Sequence, residues 1–279
     1  MKKSLILILM TVSTFCINAW DFELDTNKDG KPDRFINAEA DKKWEINDIN
    51  RNKIPDESCF YVSDKKIIYR IYNEEQDYDH DGKTDIWIEY EYQKANYYSI
   101  IRIDTNKDGK PDFVTYKKND FVTKKEYDLD GDGFFESVEE FTKLDKYVRK
   151  EFVRDKLTNV VYDVIEVKKS EDNDGDGKFD AWFWKEEHYN GKQLVAEKPT
   201  REEFDKNGDG KVDIWMEVTY GPDGHMKSVV TKYDTNFDGK VDEWRYANQR
   251  GEVIRQEFDF NGDGRIDKVV NNPKELIAR

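Results

Sequence analysis

One phrase, written again and again in a fixed frame, limits what this chain can become more than any other feature. It is DTNFDGKVD at Asp234, and seven further copies begin at Asp25, Asp77, Asp104, Asp128, Asp172, Asp205 and Asp259. A ninth, DINRNKIPD from Asp48, keeps the frame but has Lys53 where the others have glycine. Numbered from 1 to 9, each copy opens on one of those aspartates. Position 3 is Asn27, Asp79, Asn106, Asp130, Asp174, Asn207, Asn236 or Asn261, and position 5 is Asp29, Asp81, Asp108, Asp132, Asp176, Asp209, Asp238 or Asp263. Position 9 is Asp33, Asp85, Asp112, Glu136, Asp180, Asp213, Asp242 or Asp267. Asp, Asn and Gly also make ordinary turns, but eight copies in one frame ask for more than turn chemistry.

A hard cation accounts for the spacing. Calcium takes six to eight oxygens, and alternate residues of a tight loop can aim carboxylates and amides at one centre. Glycine at position 6 permits the positive φ that wraps the backbone round it. A carbonyl at position 7 adds an oxygen, and the acid at position 9 closes the shell. Asparagine at position 3 supplies an oxygen with less mutual repulsion. Thiol and imidazole ligands are absent from the frame, which argues against zinc and copper. Magnesium prefers small, largely hydrated octahedral sites. Calcium is therefore the expected cofactor. At the Asp48 copy, Lys53 removes the glycine and brings a positive charge, so metal is not expected there.

The loops are similar to the EF-hand loop as far as position 9 and then depart from it. An EF-hand carries a bidentate Glu at position 12 and flanking helices; here position 12 is acidic only at Glu139, and position 11 is always apolar, as at Trp87, Trp182, Trp215 and Trp244. The pattern resembles the short calcium loops of thrombospondin type 3 repeats, of the FG-GAP blades of integrin α chains and of bacterial secreted repeat proteins. That resemblance implies calcium ligation by positions 1, 3, 5 and 9. Thrombospondin repeats are stapled by cysteines and this chain is not, and its loops mostly start 23 to 33 residues apart, closer than FG-GAP blades.

Between loops the chain writes hairpins. IWMEVTY after Asp213 turns at GPDG and returns as HMKSVVTKYD; AWFWKEEHY after Asp180 meets Asn190-Gly191, and NQRG follows Trp244. Each module is loop, strand, turn, strand. The expected fold is all-β: an antiparallel β-hairpin repeat meander, curled or solenoid-like, with calcium loops along one edge and simple turns along the other. A β-propeller is the alternative. Position 11 tryptophans are expected in the core. Asp128 and Asp172 are separated by 44 residues, room for three strands. An odd number would send the next loop to the opposite edge, and a short helix near 137–150 would also fit. The expected division is a signal peptide over 1–19, a β-repeat region over 20–145 and a second over 146–279.

Lys2 and Lys3 precede an apolar stretch ending at Ala19, the pattern of a secretory signal peptide. The stretch is too short and interrupted to span a membrane. Cleavage after Ala19 would leave Cys59 as the one cysteine, with no internal disulfide. The chain carries 46 Lys+Arg against 61 Asp+Glu, a formal net charge of −15. Such an acidic chain is not expected to seek nucleic acid or anionic membranes. Disorder fits poorly with 14% aromatic residues, most of them in alternating runs.

No nucleophile motif, zinc motif or phosphate loop appears. Three histidines occur, His80 at a non-ligand loop position and His188 and His225 near hairpins. The expected function is therefore that of an exported bacterial calcium-binding protein, periplasmic, at the surface or secreted. It would act as a structural or adhesion module toward an envelope, surface or matrix component, with calcium-dependent self-association. The alternative is a carbohydrate-associated accessory protein or hydrolase.

Overall fold

The computed structural model describes residues 73–273 apart from 80, 94, 95 and 155, and before them the backbone of the strands alone; side chains 149 and 151–153 also lie outside it. Every regular element is a β-strand, and among the described residues there is no helix, so none is long and apolar enough to cross a membrane. The residues fall into two compact units, one ending at Glu91 and one beginning at Tyr92. The first holds β1 (Phe22–Leu24), β2 (Arg34–Ala38), β3 (Lys42–Asn47), β4 (Glu57–Asp64), β5 (Ile68–Gln76) and most of β6 (Ile86–Gln93). Each pairs antiparallel with the next.

The second unit runs from β7 (Asn96–Ile103) through β8 (Phe113–Lys118), β9 (Phe121–Tyr127), β10 (Ser137–Lys143), β11 (Tyr147–Val153) and β12 (Lys156–Glu171). It continues with β13 (Ala181–Asn190), β14 (Gln193–Phe204), β15 (Ile214–Tyr220) and β16 (Met226–Tyr233), and ends with β17 (Glu243–Asn248), β18 (Val253–Phe258) and β19 (Lys268–Asn271). Neighbours in sequence are neighbours in the sheet, all antiparallel, with one exception at β11. Among the described residues β19 pairs only with β18, so the sheet is an open meander and does not close on itself as a propeller would.

The exception lies at the long module. Three strands do form there, but β12 is 16 residues long and takes two partners on one side: β11 along Lys156–Tyr162 and β10 along Ile165–Glu171. β10 and β11 thus run end to end in one direction, and β12 returns the whole distance. The expected change of edge does not occur, because two short strands do the work of one. The segment considered for a helix is strand: β-branched and aromatic residues in SVEEF and YVRKEFV fit a pleated surface.

Cross-strand register sorts the side chains into rows. Val114, Val138, Trp182, Trp215 and Trp244, all from position 11, alternate across one face with Glu126, Ser170, Glu203, Lys232 and Glu257, each two residues before a loop. The opposite face carries Phe113, Tyr127, Phe204, Tyr233 and Phe258 in the equivalent row. A sandwich would bury one apolar face against a second layer. Among the described residues only five apolar side chains are buried, against seventeen polar or charged ones, so the strands form a single layer wetted on both faces. The position 11 tryptophans are accordingly half-buried and do not sit in an enclosed core.

What holds such a layer together is contact between cations and rings across strands, with ion pairs along each strand. The Arg201 guanidinium lies 4.9 Å from the Trp184 ring centroid and pairs with the buried Glu203. Arg245 repeats this with Tyr233 at 4.4 Å and Glu243, and Lys124 with Tyr116 at 5.4 Å and Glu126. Each such pair contributes roughly 0.2–1 kcal/mol. Long basic stems cover the rings while their heads neutralise the glutamates.

Candidate metal centre

Seven of the eight frames lie among the described residues; Asp25, Asn27, Asp29 and Asp33, and the degenerate copy from Asp48, lie outside them. The seven fold alike. The position 1 carboxylate turns inward and accepts the N–H of the position 6 glycine at 2.6–2.9 Å, from Gly82 to Asp77 through Gly264 to Asp259. Position 3 accepts the N–H of position 5 at 2.8–3.1 Å. Position 5 accepts that of position 7 at 2.7–2.9 Å. Position 9 reaches back to the N–H of position 2 at 2.5–3.0 Å. The alternating spacing is thus what winds the loop: each acid caps an amide that the turn would leave unpaired.

Glycine at position 6 has φ between 82° and 96° in all seven loops. At Gly239 a Cβ would meet nothing within 4 Å, so the demand is for conformation and not for space. Sequence reasoning missed a second left-handed residue at position 4, where Lys107 has φ 67° and Phe237 φ 61°.

Both oxygens of each position 1 acid already accept amides, and in three loops the carboxylates nevertheless converge. Asp128, Asp130, Asp132 and Glu136 bring carboxylate oxygens within 4.8 Å of one another, as do Asp77, Asp79 and Asp85, and Asp172, Asp174 and Asp180. These are the three described loops with aspartate at position 3. Where asparagine takes that place an amide replaces one charge, and Asn106 Nδ2 donates to Asp112 Oδ1 at 2.8 Å. Position 1 is buried in every described loop, from Asp77 to Asp259, whereas positions 3 and 5 face water in most. Burial pushes the Asp172 carboxyl up, but the N–H groups of Gly177, Gly175 and Asp176, with the Asp174 side chain, outweigh it and hold it below the ordinary range. Burial also opposes ionisation of Asp112, and the Thr105 hydroxyl with the N–H groups of Thr105 and Asn106 hold it low. These two acids are built to stay charged.

The loops also join one another. The N–H of position 1 donates to the carbonyl of position 9 in the preceding loop: Asp128 to Asp112, Asp172 to Glu136, Asp205 to Asp180, Asp234 to Asp213 and Asp259 to Asp242, each at 2.8 or 2.9 Å. Six loops of the second unit therefore stack along one edge as a main-chain ladder. Position 7 adds a side-chain link, with Lys110 Nζ 3.2 Å from the Asp132 carbonyl and Lys240 Nζ 2.7 Å from that of Gly262. A Cβ on Gly131 would come within 3.1 Å of Asn106 Nδ2, which shows how closely adjacent loops approach.

An oxygen-only donor set of this kind fits a hard divalent cation. His188 takes no part: it is buried in β13, 3.0 Å from Glu186 and edge-on to Tyr147 at 5.4 Å. Compared with known protein families and with curated proteins, the chain finds no match.

Proposed function

We propose that this is an exported, calcium-binding β-repeat protein that acts as a noncatalytic structural or surface interaction module of a bacterial envelope. The observation that carries the reading is the convergence of Asp128, Asp130, Asp132 and Glu136 within 4.8 Å. Two like charges at that separation repel by roughly 3–4 kcal/mol at the effective dielectric of a protein surface. Four of them on one loop are tolerable when a dication sits among them. In each loop positions 1, 3, 5 and 9 would hold the ion, and bound calcium would supply charge neutralisation and a cross-link along the ladder. The leader-like start at Lys2 and Lys3 supports export into media where calcium is plentiful.

Thermal melts in calcium, magnesium and chelator test the metal, and capture of envelope material with and without chelator tests the module. Coincident calcium and chelator melts would remove the metal reading. Cleavage of a glycan or peptide library by the loaded protein would replace the module with the hydrolase alternative.

A further inference from the structure

The first half of β12 and its partner β11 form a ribbon that the calcium ladder does not use. β12 pairs with β13 only from Asp163 onward, and β11 pairs only with β12 among the described residues. The stretch Tyr147–Val153 with Lys156–Tyr162 therefore extends as two strands beyond the rest of the sheet, at the end away from the loops. Val148 faces Val161 across the ribbon, and Leu157 lies on the same face by alternation. These three aliphatics are 54%, 49% and 58% exposed. Lys150, opposite Asn159, stands between them on that face and is also exposed.

Charge picks the occupant. Residues 143–162 carry six basic residues, Lys143, Lys146, Arg149, Lys150, Arg154 and Lys156, against three acidic ones, in a chain whose net charge is −15. Lys150 lies on the apolar face itself and the exposed Arg154 and Lys156 stand at the ribbon tip, and an apolar face among cations is chemistry that meets an anionic lipid surface: the aliphatics enter the acyl boundary and the cationic groups stay among the headgroups. We infer that this ribbon docks the protein on an anionic bilayer surface, with the face of Val148, Leu157 and Val161 against the lipid. The inference names a partner for the interaction module proposed above and rests on that reading, but not on the metal.

The test is co-sedimentation of the full chain, at fixed calcium, with vesicles of phosphatidylcholine alone and of phosphatidylcholine mixed with phosphatidylglycerol. Binding is expected to the mixed vesicles only. Val148→Ser with Val161→Ser, and separately Lys150→Gln with Lys156→Gln, should each weaken it at least about tenfold. All four positions are exposed, so calcium-dependent melting should match the parent, and hydrogen exchange on the parent should show amides of 147–162 gaining protection on the mixed vesicles. Three results would overturn the inference: no binding to mixed vesicles, binding unchanged by both pairs of substitutions because calcium bridges the acidic loops to lipid, or a lipid-independent dimer that the Val148→Ser, Val161→Ser pair abolishes. In each, calcium melts remain as the separate check on the metal.

Discussion

The amide of Asp172 donates to the carbonyl of Glu136 at 2.8 Å, although 35 residues of chain, including the whole of β10, β11 and β12, lie between them. This bond keeps the ladder continuous across the longest module. A metal in one loop therefore acts on a main chain shared with the next, and stability should pass between neighbours as it does in repeat proteins.

Asp209→Ala removes a position 5 acid and its bond to the Lys211 N–H at 2.9 Å. The expected outcome is loss of one site, about 1 kcal/mol of stability, and weakened protection in β14 to β16 with distant strands unchanged. Hydrogen exchange along the chain in calcium checks it; a uniform loss of protection would contradict nearest-neighbour coupling.

Loops with aspartate at position 3 should fill at lower calcium than those with asparagine. Asn106 must turn its amide away from Asp112 Oδ1 before its oxygen can ligate, while Asp130 already belongs to a four-acid cluster. The position 6 glycine amides report each site, because each donates to the position 1 acid. In a calcium titration followed by NMR, Gly82, Gly133 and Gly177 should shift before Gly109, Gly210, Gly239 and Gly264. Asn106→Asp should advance Gly109 by several-fold in calcium.

Phe237 holds φ 61° beside Gly239 at φ 87°. A left-handed residue with a side chain costs about 1–2 kcal/mol, and glycine is spared it. Phe237→Gly should therefore stabilise the protein by up to about 1 kcal/mol after the added freedom of the unfolded chain is deducted. Gly239→Ala should destabilise it by about the same amount although the space is empty. Denaturant melts of the two variants in chelator separate this backbone effect from metal.

Much of this was legible in the sequence. Alternating acids, the position 6 glycine and the apolar position 11 marked both the loop and the strand that leaves it, and Gly191 does open the β13–β14 turn, one residue beyond where Asn190-Gly191 suggested. Collinear β10 and β11 were not legible, since strand count gives parity only when strands are of equal length. The half-buried state of Trp182 and Trp215 was hidden as well, because an aromatic row looks the same in sequence whether a second layer covers it or solvent does. Likewise the link from Lys110 to the Asp132 carbonyl spans two modules and leaves no local signal.

The last expectation concerns alkali. Tyr116 donates to Glu126 at 2.8 Å and Tyr189 to Glu187 at 2.6 Å, and burial together with these carboxylates pushes both phenols up to about 12. An unfolded tyrosine titrates near 10. Because the folded values are raised, the protonated phenols favour the native state fully below about pH 10, and that contribution is lost as pH climbs from about 10 to about 12. The sheet has little oily core to compensate, so alkaline unfolding should fall within that window and coincide with phenolate absorbance. Tyr116→Phe with Tyr189→Phe removes the titrating groups and leaves the rings. The double variant should be less stable than the parent at neutral pH, having lost two bonds to charged acceptors, yet lose less further stability between about pH 10 and 12. Parallel alkaline curves for the two proteins would mean that the tyrosine–glutamate pairs do not stabilise the native sheet.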